Sequence, residues 1–147
     1  MFSEMGRPIA SATVFLNNSQ ILALGSTPVQ VVSSDDVPNF LRFPKRVPVP
    51  FMILGKTFVP NGNTYTGFTN LSLFTGSDLS GTKYSFTATY FTADAFFSQL
   101  LTPSGSFGSV DLLDNALVLS AFPDTPADAD PDNTLELTIY YALAELV

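Results

Sequence analysis

Neither cysteine nor histidine occurs anywhere in this chain of 147 residues. Without cysteine there is no disulfide framework and no thiolate metal site, and redox usage says nothing about compartment. Without histidine the usual general base near neutral pH, the usual partner of an activated nucleophile and the usual zinc ligand are all missing, which removes most hydrolase designs. Charge is scarce too: charged residues make up 13% of the chain, against about 25% in ordinary soluble domains. No apolar run approaches the ~18 residues of a membrane-spanning helix. Met1-Phe2-Ser3-Glu4 lacks the basic and apolar regions of a signal peptide, so the chain is expected to be made in the cytoplasm.

What is present is apolar and aromatic. Hydrophobic residues reach 46%, with fourteen Phe and five Tyr, and mean hydropathy is +0.27. Such a chain either hides apolar surface in an assembly or aggregates, and assembly is the expectation. The length suits one domain over residues 1–147, able to bury roughly 70% of the surface its unfolded form exposes. The net charge of −7 is uneven: all six basic residues lie in 1–83, whereas 84–147 hold nine acids and no base. Nucleic acid, whose phosphates need a basic surface, is not an expected partner.

Periodicity points to strands. In Thr134 to Leu146, Leu135, Leu137, Ile139, Tyr141 and Leu143 occupy every second position, the pattern of a strand with one buried face. Further strands are expected at Ala12–Leu16, Gln20–Leu24, Val29–Val32, Phe51–Gly55, Leu71–Thr75, Lys83–Thr92 and Leu112–Phe122. Asn17-Asn18-Ser19, Asn61-Gly62-Asn63 and Gly76–Gly81 read as turns. Residues 1–11 read as an extended arm or a first edge strand. Pro48 and Pro50 place their segment at a sheet edge or in a polyproline-like entry. Ala93–Leu101, with Thr92 as N-cap and Pro103 beyond, is the one expected helix. The fold expected is therefore all-β, an antiparallel β-sandwich or jelly roll with at most one short helix.

Chemistry-bearing motifs are few. Asp35/Asp36 and Asp111/Asp114 are the nearest paired carboxylates, and a glycosidase would need two such acids facing a cleft. Aspartates in loops ordinarily cap and turn the chain instead, so no enzyme and no cofactor are expected. Gly76 to Lys83 falls short of a phosphate-binding loop because its last pair is transposed and a strand follows where a helix should start. Asp128, Asp130 and Asp132, with Asp124 nearby, space carboxylates like the start of a calcium loop. Ile139 stands where the bidentate Glu belongs, leaving a solvated loop as the plainer reading. Arg42, Lys45 and Arg46 among Phe40, Phe43 and Phe51 form the one basic, aromatic cluster, read first as a solvated loop and otherwise as a rim suited to docking an acidic protein surface.

Ile21 to Val32, Tyr65-Thr66-Gly67 leading to Leu71-Ser72-Leu73, Asn115 to Leu119, and Thr134 to Tyr141 together resemble a group of small tailed-bacteriophage virion proteins. Those proteins are all-β, and several are capsid decoration (cement) proteins that trimerise on the head. The resemblance implies a homotrimer on the capsid surface, bound to the major capsid protein, with neither membrane nor nucleic acid as partner. The alternative expectation is a tail, baseplate or receptor-binding module with a sugar-binding groove built from Tyr65, Phe68 or Tyr84.

Overall fold

The computed structural model describes residues 9–33, 45–67, 69–76, 79, 83–87, 94–103, 116–127 and 130–146. Among them, β8 (Thr134–Leu146) is the central element: it pairs antiparallel with both β1 (Ile9–Asn17) and β3 (Lys45–Phe58). Its inner row, Leu135, Leu137, Ile139, Tyr141 and Leu143, is buried, as the alternation requires. Each such side chain, fully buried, contributes about 1.5–3 kcal/mol of transfer free energy.

Register carries this row across the sheet. Leu16, Val14, Ala12 and Ala10 of β1 lie opposite Leu135, Leu137, Ile139 and Tyr141. On the other side, Thr57, Gly55 and Ile53 of β3 meet Leu135, Leu137 and Ile139. A bulge at Phe51 then shifts the pairing between Pro50 and Met52. The extra residue inverts the alternation, so buried positions run Pro48 and Pro50 before it and Ile53, Gly55 and Thr57 after it. From Met52 to Thr57, β3 also pairs with β6 (Ala95–Leu100), which completes a sheet of order β1-β8-β3-β6. Before Met52 no described strand lies on that side, and the two prolines fall in this unpaired stretch, as expected for a sheet edge.

The second sheet has the order β2-β7-β4-β5, from Val29–Val32, Leu117–Ser120, Asn70–Thr75 and Lys83–Thr87. Leu71, Leu73, Tyr84, Phe86, Leu117 and Leu119 join the inner row of the first sheet in one core. The fold is thus an antiparallel β-sandwich with one short helix. Two turns match expectation: Asn61-Gly62-Asn63 closes with Gly62 at φ 72 and its N–H donating to Val59 O at 3.1 Å, and β4 and β5 form a hairpin around the Gly76 loop.

Two expectations are corrected. Gln20–Leu24 is not a strand: Asn18–Leu22 is the helix, α1, followed by a 3-10 turn at Ala23–Gly25. Asn17 is its N-cap, accepting from Gln20 N at 3.0 Å while Gln20 Oε1 accepts from Asn17 N at 3.0 Å. This reciprocal pair stabilises the turn that carries the chain from one sheet to the other, and it seats Ile21 and Leu24 in the core. Ala93–Leu101 is not a helix, because its described part is dominated by β6. There Phe97 packs its ring over Gly55 while Phe96 faces outward. Pairing with the open side of β3 overrides the local helical preference of an Ala-rich start. Of the arm and edge alternatives for residues 1–11, Ile9–Ser11 begin edge strand β1, and residues 1–8 lie outside the description. Residues 88–92 and 112–115 of two expected strands also lie outside it.

A Cβ at Gly55 would overlap the Phe97 ring. Gly55→Val is therefore expected to destabilise by about 1–3 kcal/mol through overpacking, read as a lower midpoint in thermal melting with the far-ultraviolet spectrum retained.

Candidate docking surface

Alternation that buries one row of each strand turns the other row outward. In the first sheet those outward positions are unusually apolar. Phe96 is 82% exposed, Leu100 74%, Phe15 71% and Ile9 68%, with Phe58 and Leu54 also exposed. With aromatic side chains offering about 150–250 Å² each and the aliphatic ones somewhat less, the six leave on the order of 700 Å² uncovered, divided by the polar row of β8 into a β1 flank and a β3–β6 flank. Neither flank exceeds the roughly 300–600 Å² of the largest patch on a typical monomer, a patch that is often functional. The second sheet differs, since β4 and β7 are buried on both faces.

Register arranges these residues in rows across the sheet. One row runs Phe15, Glu136, Lys56, Phe96; the next runs Thr13, Thr138, Leu54, Ser98; the next Ser11, Tyr140, Met52, Leu100. Thr13 and Thr138 share a hydroxyl hydrogen bond at 2.9 Å. Lys56 lays its ammonium over the Phe96 ring, 5.3 Å from the centroid. At one end Phe15 and Phe58 stand on either side of β8 as walls of an open cleft of about 510 Å³. Thr134 and Glu136 form its floor, and Gln20 of α1 closes it. The walls are two strand spacings, about 9–10 Å, apart, wide enough for a flat ring or an extended side chain.

The basic cluster is only partly placed. Lys45 and Arg46 open β3, with their backbones opposite Leu146 and Glu145. Phe51 is half-buried at the bulge, its carbonyl accepting from Leu101 N at 2.8 Å. Arg42 and Phe43 lie outside the described residues, as do Asp35, Asp36, Asp111 and Asp114. Of the acidic loop, Asp130 accepts from Asp132 N at 2.9 Å and from the side-chain amides of Asn61 and Asn63 at 3.0 and 3.2 Å. These donors hold its carboxyl below the ordinary carboxylate range, the Asp132 N–H first among them. It acts here as a clasp between two loops. Asp124 likewise accepts from Thr69 N at 3.0 Å. Asp132 is exposed, and Asp128 is outside the description.

Of the residues named for an aromatic groove, Tyr65, Phe68 or Tyr84, burial removes Tyr84. Tyr84 is an inward residue of β5, 1% exposed, and Phe68 lies outside the description. Tyr65 is half-buried and donates to Asn18 Oδ1 at 2.8 Å, tying the turn after β3 to α1. Burial pushes its phenol from an ordinary 10.0 up to about 12, partly offset by the Asn133 amide beside it. The outward residues Phe15, Phe58, Phe96 and Leu100 were not singled out from the sequence. Their signal is the cross-strand register, which puts Phe15 and Phe96, 81 positions apart, in one row. Comparison with protein-family models, curated proteins and solved structures gives no match.

Two outcomes are expected. Replacing Phe15, Phe96 and Leu100 together by Ser removes exposed apolar surface and leaves stability within about 0.5 kcal/mol per site, while retention on a hydrophobic column falls sharply. Because the folded Tyr65 pKa lies above the unfolded one, its contribution is fully present below pH 10 and is lost as pH rises towards 12. The melting midpoint therefore drops across that window, and Tyr65→Phe shows a smaller drop.

Proposed function

We propose that this chain is a structural virion protein, a capsid decoration (cement) protein that binds the head shell of a tailed phage and stabilises it by contact rather than chemistry. The observation that carries the reading is the outward face of the first sheet, where six large apolar side chains stand exposed on either side of the polar row of β8. The sequence resemblance to small phage virion proteins supports it from a second direction. A cement protein spans neighbouring shell subunits, so that parting them also breaks its own contacts. Around 800 Å² per partner is a standard interface, and the apolar part of this face alone approaches that. Many copies repeated by symmetry then act multivalently. On this reading the partners are further copies of the chain, as a homotrimer in the form the resemblance implies, and the major capsid protein.

The cleft between Phe15 and Phe58 supports a second reading, a receptor-binding module of the tail or baseplate. Aromatic walls over a floor of Thr134 and Glu136 offer a sugar both a stacking face and hydrogen-bonding groups. Titration with oligosaccharides of the host surface separates the two readings: saturable binding abolished by Phe15→Ala favours the module.

Imaging of purified virions decides the first reading. Symmetric density for this chain on the outer surface of the head is expected. Particles that lack the chain, or carry it only on the tail, contradict it.

A further inference from the structure

Among the described residues, nothing pairs with the outer edge of β1. This edge is nine residues long and carries no charge, no proline and no glycine: Ile-Ala-Ser-Ala-Thr-Val-Phe-Leu-Asn. Strands exposed in this way are templates for further pairing, and soluble proteins usually guard them with charge, proline, bulges or shortness. The other edges here are guarded. The first half of β3 holds Pro48 and Pro50. β2 has four residues and a register shift, and β5 has five and opens on Lys83. β6 has only six residues.

A second observation points to the same flank. The inner residues of β8 are fully buried, yet the β1 residues opposite them, Ala10, Ala12 and Val14, are only partly covered. On the second sheet, Val29 and Val31 of edge strand β2 are also partly covered while packing on the core. Among the described residues the core is therefore only partly covered along the β1 and β2 side.

We propose that β1 is the seam at which a second copy of this chain joins, the two β1 strands pairing antiparallel about a two-fold axis near Thr13. In that register Thr13 meets its own copy, Ala12 meets Val14, Ser11 meets Phe15 and Ala10 meets Leu16. Small inner residues face large ones, so the inner row continues through the join without a clash or a void. About nine main-chain hydrogen bonds form, close to the roughly ten of a typical interface. Charge permits it as well. The chain carries −7, but β1 brings none of it to the seam. The nearest acid along the rows, Glu136, lies three strand spacings across and four residues along from its copy, about 20 Å, well beyond the Debye length of about 8 Å.

This proposal rests on the assembly reading but puts a two-fold pair in place of the trimer that the resemblance implies, since a seam of β1 with its own copy closes at two chains; the seam and the cement role fail separately. A chain that docks on phage heads without pairing through β1 sinks the seam alone, and a β1-linked pair absent from virions sinks the cement role alone.

Engineered cysteines test it cleanly in a chain that has none. Directly opposed residues of antiparallel strands have Cα atoms about 4.5–5.5 Å apart, inside the range of about 4.4–6.8 Å that a disulfide spans. Under mild oxidation Thr13→Cys is expected to yield covalent dimers, and Phe96→Cys, also exposed but on the far edge, is expected to remain single chains. Thr13→Lys sets two ammonium groups face to face and is expected to abolish the pairing in sedimentation while the melting midpoint shifts by a few degrees at most. Failure of Thr13→Cys to cross-link, equal cross-linking of Phe96→Cys, or an unchanged sedimentation profile for Thr13→Lys overturns the seam.

Discussion

One constraint governs the molecule: the inner row of β8 must be covered on both flanks at once. Leu135, Leu137 and Ile139 are each nearly inaccessible, and each is flanked in register by one residue of β1 and one of β3. A slip of one position on either side would turn those rows inside out. The bulge at Phe51 follows from this requirement. Without the extra residue, the phase that buries Pro48 and Pro50 would turn Ile53 and Thr57 outward. The small residue at Gly55 follows too, because Phe97 fills the space that a side chain there would take.

Satisfying the inner row leaves the outer row unconstrained by folding, and that is where the apolar residues become informative. Phe15, Phe96 and Leu100 contribute little to the core, and their exposure favours association with something else. A fold that needed only to stay soluble would carry Lys, Glu or Thr there, as β8 does at Thr134, Glu136 and Thr138. The polar stripe of β8 runs between two apolar flanks on β1 and on β3 with β6. Thr13 and Thr138, and Lys56 with Phe96, give the face internal order before any partner arrives.

β8 was legible in the sequence because a long period-two pattern needs no information from elsewhere, and its bounds emerge as Thr134–Leu146. The hairpin at Gly76 and the edge position of Pro48 and Pro50 were legible through local backbone chemistry. The helix was not, because Gln20-Ile-Leu-Ala-Leu is as apolar as a strand. The clue was the pair Asn17 and Gln20, three positions apart, whose side chains reciprocally cap the first turn. β6 misled in the opposite direction, since a short Ala- and Phe-rich stretch takes its form from the neighbour it pairs with. The docking face was hidden for a different reason: Phe15 and Phe96 are neighbours of the same row only once β8 and β3 stand between them in register.

Edge pairing and face docking are compatible in a way that face-to-face association would not be. A two-fold axis at the β1 seam runs perpendicular to the sheet, so both outward faces point the same way. The pair presents one continuous eight-stranded surface, with two copies of Phe15 near its middle and the Phe96 and Leu100 clusters at its ends. None of the outward apolar area is spent on joining the copies. Packing the two outward faces together would instead cover Phe15, Phe58 and Phe96 and leave none of them for the docking proposed above. On that proposal, separate surfaces serve the chain's own kind and its target. The uncharged edge of β1 and the apolar face beside it supply two that do not compete.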